Sequence, residues 1–387
     1  MPEAVIVSAV RTPIGTARKG TLAATPAEDL AVHVLREAVR RSGLAPERFD
    51  DVVFGETLYG GGDLARHAAV AAGMTHVPGV AVNRHCASSL TALGMAAAGI
   101  RAGSERAVVA GGANSSSLSP SLSWAPPHPP ERRSPPTFPH TEDANDFTDL
   151  TVGWNVAQKY GLTRAEMDAW ALRSHQRAVT ATAVGLFDDE IAPIRVTRAD
   201  GSVVEFAADE HPRATTTIEK MAALKPLRPE IEGYSITAGN ACGSNDAAAA
   251  LAVLADDLAR EEGITALATV RAWASVGVDP KYTGVGAIDA ATRVLGKAGL
   301  TAADIDLWEI NEAFASVPVA ACKVLGLDEA KVNVHGSGCS LGHPIAASGA
   351  RMVTTLVHEL RRRGGGLGLA TMCAGGGQGG AVVVEVH

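Results

Sequence analysis

The chain has 387 residues, 46% of them apolar and 20% charged, which is too much for one ordinary core and calls for two or three folding units. Its formal net charge of −8 argues against nucleic acid as a partner, although a local basic patch would still suit a phosphate-bearing ligand. No run of about 18 uninterrupted apolar residues occurs, so no membrane-spanning helix is expected.

The opening "MPEAVIVSAVRTPIG" enters a strand-like run at once and lacks the charged region and cleavage site of a secretory signal, so a cytoplasmic location is expected. A helical pattern, "AVHVLREAVRRSG", stops at Gly43, which suits a C-cap, and the strand "DDVVFGE" follows. Next comes "CASSLTALGMAAAGIRAGSERAVVAGGAN" (86–114), a small-residue helix, a turn and a strand. The proline density of "SSSLSPSLSWAPPHPPERRSPPTFPH" then forbids a long helix. An amphipathic helix in "TRAEMDAWALRSHQRAVTATAVG", short strands and the segment ending "TAGNACGSNDAAAAL" complete a different kind of region.

Beyond it the first pattern returns. "SGLAPERFDDVVFGE" (42–56) and "AGLTAADIDLWEINE" (298–312) match at Gly43/Gly299, Leu44/Leu300, Asp50/Asp306 and Glu56/Glu312, a constant offset of 256 (299 − 43). The 86–114 unit has its counterpart in "HPIAASGARMVTTLVHELRRRGGGLGLATMCAGG" (343–376). Cys86 plus that offset falls at 342, one short of His343, so both sit at the N-terminal end of a central helix. Strands alternating with helices imply mostly parallel α/β layers. The predicted fold is therefore α/β: two halves related by a pseudo-twofold, 1–115 with 246–266 and 267–387, and an inserted domain, 116–245, as lid or substrate surface.

Five cysteines (Cys86, Cys242, Cys322, Cys339, Cys373) form no C-x-x-C pair, which fits free thiols in a reducing compartment rather than a disulfide framework or zinc site. Cys86, in "NRHCASSL", precedes a helix whose positive end can depress a thiol well below ~8.5. It reads equally as a nucleophile or as a buried structural cysteine. His343 stands before Pro344, which suits the first position of a helix, and the helix dipole favours its neutral, basic form; a capping histidine is the plain alternative. If the halves pack about a twofold, the two meet as nucleophile and base. Cys373, in "ATMCAGGGQGG", ends an apolar run beside glycines whose N–H groups can face an oxyanion; a tight glycine turn alone would not need the thiol. Asn311 ends a strand and can position a water or a carbonyl, whereas Glu312, echoed by Glu56, reads as a structural buried acid.

These segments, with "VGVDP", "NEAF" and "GHPIAASGAR", resemble the thiolase family over nearly the full length, with Cys, Asn, His and Cys in the family's order. The resemblance implies a thiolase-like fold of layered α-β-α-β-α architecture and acyl transfer between acyl-CoA and CoA, without a metal or prosthetic group. It makes Cys86 the acyl-accepting nucleophile, His343 its activator and Cys373 the acid/base at the α-carbon. It implies two oxyanion sites: the N–H groups of Cys86 and Gly375, and His343 with a water held by Asn311. Leu224, Ala238, Gly239, Cys242, Ala313 and Phe314 would line the CoA tunnel, and the Pro-rich 118–140 would form an oligomerising loop of a homodimer or homotetramer. An acetyl-CoA C-acetyltransferase is the first expectation, a 3-oxoacyl-CoA thiolase for other acyl chains the second, a non-catalytic acyl-CoA or lipid binder the third. A decarboxylating synthase on the same fold would carry histidine in place of Cys373. The chain departs from the family where Ala87, Cys242 and Arg228 replace a glycine, a serine and an aromatic, in "KYTGVGA", in "NVHGSGCSLGHP" with its added Ser337 and Cys339, and in "DLTVGW", which lacks a pocket histidine and methionine. A different acyl pocket is expected.

Overall fold

The computed structural model describes residues 1–121, 123, 125, 126, 147–198 and 200–387. Most of the Pro-rich stretch expected to drive oligomerisation therefore lies outside the described residues. The first half runs β1 (Ala4–Arg11), β2 (Gly15–Thr16), α1 (Ala27–Ser42), β3 (Asp51–Glu56), α2 (Leu64–Ala71), β4 (Gly79–Val82), α3 (Ser88–Ala102) and β5 (Ala107–Ser115). The middle region holds α4 (Asn155–Tyr160), α5 (Arg164–Ala183), β6 (Ile194–Thr197), β7 (Val203–Phe206) and α6 (Ile218–Ala222). The chain then continues through β8 (Asn245–Ala255), α7 (Asp256–Glu261), β9 (Ala268–Gly277), α8 (Gly286–Ala298), β10 (Leu307–Ile310), α9 (Ser316–Leu325), α10 (Ser348–Arg362), β11 (Gly366–Ala374) and β12 (Gln378–Val386).

The strand order is β10-β11-β12-β9-β1-β8-β5-β3-β4, and the pairing senses make the internal symmetry explicit. β3 runs parallel to β5, which is antiparallel to β8, which is antiparallel to β1. In the other half β10 runs parallel to β11, which is antiparallel to β12, which is antiparallel to β9. Even β4, parallel to β3, has an echo: Trp308 of β10 bridges Val332 in the parallel sense. The halves join edge to edge through two residue pairs, Val5–Thr269 and Ile6–Ala268.

Helices α3 and α10 lie between the halves, each touching the other and strands of both. α1 covers the outer face of the first half and α8 that of the second, which completes the α-β-α-β-α layering. Strands covered on both faces are apolar without alternation, as in β8 (NDAAAALAVLA), where every residue is buried. Gly43 and Gly299 close α1 and α8 in the left-handed region, at φ 74° and 68°, as the sequence predicts.

One helix start differs from expectation. α10 begins at Ser348, so Pro344 is not its first residue. The backbone N–H of His343 is tied to Asn245 Oδ1 (3.0 Å) and its strand-like backbone bridges Ser244. A turn closed by Ala347 and Ser348 N–H groups on Pro344 O must come before the chain can wind.

Candidate active site

Cys86 stands two residues before α3, held by a tight turn in which Ala87 N–H donates to Arg84 O and Ser88 N–H to His85 O. His85 takes φ 46°, a conformation non-glycine residues rarely accept and one that concentrates at functional sites. Opposite this turn lies the glycine loop after β11. A Cβ on Gly375 would sit 3.2 Å from His85 Cγ, tighter than ordinary contact, so the missing side chain lets the loop come close. The consequence is electrostatic: the backbone N–H groups of Gly375 and of Cys86 itself act on the Cys86 thiol to lower it. Burial nevertheless outweighs them and pushes the thiol up to about 11.

Cys373, the penultimate residue of β11, is buried beside it. Burial, then the neighbouring Cys86 and Cys242, raise this thiol strongly. Cys86, Cys373, Cys242 and His343 open onto one cavity of about 570 Å³, together with Ala313, Phe314 and Gly375. The thiols at 86 and 373, far apart in sequence, thus share a chamber with His343.

The network around His343 fixes its tautomer. Its Nδ1 lies 2.6 Å from Ser348 Oγ, whose single hydrogen is directed to Pro344 O at 2.9 Å. Ser348 Oγ therefore accepts the Nδ1 hydrogen, which leaves Nε2 unprotonated and able to take a proton. Asn311 Nδ2 approaches that Nε2 at 3.3 Å. Burial and, secondarily, the Arg351 cation push His343 down to about 3, so the resting imidazole is neutral. Arg351 is itself buried and paired to Glu309 (Nη1–Oε2 2.8 Å), with Nη2 on Ser337 Oγ at 2.8 Å.

Asn311 follows β10 and is anchored by its N–H on Thr371 O (3.0 Å); its buried Oδ1 has no hydrogen-bond partner among the described residues. Glu312 behaves as the architectural acid the repeat suggests. It accepts from Trp170 Nε1, Ser174 Oγ, Asn333 Nδ2 and the Cys339 N–H, tying the middle region to the second half.

The six residues assigned to the CoA tunnel divide. Cys242, Ala313 and Phe314 line the cavity, with Cys242 N–H on Ala313 O (3.0 Å) and Ala241 bridged to Phe314. Leu224, Ala238 and Gly239 do not line it: Leu224 and Ala238 are exposed, and Leu224 packs over Gly239. They lie on the segment that leads to the cavity wall rather than in the wall itself. Sequence reasoning passed over Ser348 and Asn245, which orient His343, and over the Arg351–Glu309 pair. The serine's spacing from the histidine, five residues across a Pro-led turn, is a faint signal that the turn geometry explains only afterwards.

The thiolase N-terminal domain family matches residues 4–257 and the thiolase C-terminal domain family residues 264–386. The chain belongs to the thiolase family. Among curated relatives, the acetyl-CoA acetyltransferase of Pseudomonas aeruginosa is 42% identical over 399 aligned positions, covering 99% of each chain. Among solved structures, the acetyl-CoA acetyltransferase of Bacillus anthracis superposes with a TM-score of 0.91 at 40% identity, over 100% of this chain and 99% of that one. The human mitochondrial 3-ketoacyl-CoA thiolase superposes with a TM-score of 0.90 at 33% identity, over the same shares. This thiolase has no helix long and apolar enough to cross a membrane among the described residues.

Proposed function

We propose that this thiolase is an acetyl-CoA C-acetyltransferase working through a Cys86 acyl-enzyme, with CoA as substrate and product and no prosthetic group. The observation that carries the reading is that Cys86, His343 and Cys373 open onto one cavity of about 570 Å³ together with Gly375; in this reading the N–H groups of Cys86 and Gly375 receive the carbonyl oxygen of the acyl group.

The steps follow from the proton inventory. Cys86 gives its proton to His343 Nε2, and the thiolate attacks the thioester carbonyl of the first acetyl-CoA. The tetrahedral oxyanion accepts from the two N–H groups. Its collapse breaks the carbon–sulfur bond to CoA, and the departing thiolate takes the Cys373 proton. The site then holds an acyl-enzyme, an imidazolium and a Cys373 thiolate with no net charge gained. Cys373 removes the α-proton of the second acetyl-CoA, whose enolate oxygen is met by the His343 Nε2–H and by a water on Asn311 Oδ1. The enolate carbon attacks the acyl-enzyme, and Cys86 leaves as a thiolate that recovers its proton from His343. Thiolytic cleavage of acetoacetyl-CoA is the reverse. A base as weak as His343 and thiols as weakly acidic as these suit a dry site in which charge appears only as adjacent pairs.

We also place the enzyme in the cytoplasm as a homodimer or homotetramer, consistent with its free thiols. The deciding measurement is loss of the acetoacetyl-CoA–Mg²⁺ enolate absorbance on adding CoA. Steady decay is expected, and a flat trace would remove the catalytic reading. Radiolabelled acetyl-CoA should label the wild type and not Cys86→Ser; full labelling of that variant would assign the nucleophile elsewhere.

A further inference from the structure

Two formally charged side chains reach the wall of the catalytic cavity among the described residues, Asp149 and Arg228, and they face each other. Arg228 Nε and Nη2 donate to Asp149 Oδ2 and Oδ1 at 2.9 and 3.3 Å. Tyr234 OH lies 2.7 Å from Asp149 Oδ2, and the Arg228 guanidinium stacks on Phe147 with its central carbon 3.7 Å from the ring centroid. Burial would raise Asp149, but the hydrogen bonds from Arg228 and Tyr234 prevail and lower it, so the pair is ionised. Asp149 opens a single π-helical turn, Asp149–Trp154, a feature found frequently at functional sites. The two residues come from the segments "DLTVGW" and "KPLRP", two of the places where the chain departs from the family's pattern.

The bonding leaves a remainder. Asp149 is satisfied by two donors, whereas Arg228 has five N–H groups and uses Nε and Nη2; Nη1 makes no hydrogen bond among the described residues. An apolar acyl chain laid against this wall would strip water from an ion pair and give nothing back. A chain with an oxygen acceptor would bond the spare donor.

We propose that the Asp149–Arg228 pair, braced by Tyr234 and Phe147, selects acyl-CoA substrates whose acyl chain carries an oxygen acceptor, a carboxylate or a hydroxyl, beyond the 3-oxo carbon. This goes beyond the acetyl transfer proposed above by adding longer, oxygen-bearing acyl chains to the substrates of the same Cys86 site, and it rests on that site being catalytic.

Dissociation constants for the Cys86→Ala enzyme, measured by calorimetry with hexanoyl-CoA, adipyl-CoA and 6-hydroxyhexanoyl-CoA, test it without turnover. At least one oxygen-bearing ligand should bind about tenfold tighter than hexanoyl-CoA, and which one identifies the acceptor. Arg228→Leu alone would strand the Asp149 carboxylate, so the informative comparison is Asp149→Leu/Arg228→Leu in the same background, where the ratio should fall to within about twofold of unity. The wild type should show the same order in kcat/KM for 3-oxoadipyl-CoA or its 6-hydroxy counterpart against 3-oxohexanoyl-CoA. Equal affinity for all three ligands, or a ratio that survives the double substitution, overturns the proposal. Failure of the wild type to cleave acetoacetyl-CoA would instead overturn the catalytic reading, with the binding ratio still deciding this one.

Discussion

At the scale of single residues, the site is built to keep every partner neutral until substrate arrives. Cys86 is pushed up by burial, Cys373 by burial and then by Cys86, and His343 is pushed down by burial and Arg351. A proton passed between them creates opposite charges inside a dry cavity, so small errors of orientation are costly. Ser348 sets that orientation through Nδ1. Ser348→Ala should lower kcat about tenfold to a hundredfold with KM nearly unchanged, and Ser348→Thr should restore most of it; equal loss in both variants would mean a packing role only. Cys373→Ser should retain acetyl labelling of Cys86 while slowing carbon–carbon bond formation by about two orders of magnitude or more. Quench-flow measurement of both steps checks the division of labour, and parallel loss of labelling would contradict it. Cys86 and His343 stood out as candidates because the repeat places them at equivalent helix starts, and Cys373 because a tight glycine turn alone needs no thiol. Ser348 was not: a serine near a helix start has many ordinary uses, and its value depends on a turn that delays the helix by four residues.

At the scale of elements, the two central helices, α3 and α10, set the geometry of the candidate site because they touch. An added Cβ on Gly349 of α10 would lie 2.6 Å from Leu90 Cγ and 2.7 Å from Leu90 N of α3. The first residues of the two helices, and with them Cys86 and His343, are spaced by that glycine. Gly349→Val should destabilise the fold by about 1–3 kcal/mol in denaturant titration, and should depress activity in whatever fraction remains folded, because α10 must slide off α3. A variant as stable as wild type would show that the helices are not in register-determining contact. The small-residue content of both helices announced close packing in the sequence, yet not the partner. Nor did sequence pattern reveal that the second half replaces β4 with the single Trp308–Val332 bridge. A lone bridge leaves no periodicity to read. The Asp149–Arg228 pair escaped for a related reason, since its members lie 79 residues apart in segments with no regular pattern.

At the scale of the whole molecule, the two-half repeat was legible from glycine caps and acidic echoes because helix ends and strand starts demand those residues at fixed spacing. The order of strands across the join was not, since only two residue pairs make it. The price of so much dry interior is a stability that depends on pH at both ends. His343 is lowered to about 3, and His175 and His211, buried with ring centroids 6.3 Å apart, to about 4, in each case chiefly by burial. For a base depressed below its ordinary 6.5, the unfolded chain holds more protons between the two values. Stability is then complete above about 6.5 and is lost as pH falls toward 4. Cys86, at about 11, and Cys242, at about 12, are raised from 9, so their contribution is complete below 9 and is lost as pH rises through 11. The melting temperature should therefore hold a plateau between about pH 7 and 9 and decline on both sides. His211→Gln removes one such group away from the catalytic dyad, and should reduce the acid-side slope by up to about 1.4 kcal/mol per pH unit at its steepest. Calorimetric scans from pH 4.5 to 7 on both proteins decide it: identical slopes would mean that the histidine pair titrates alike in the folded and unfolded chains.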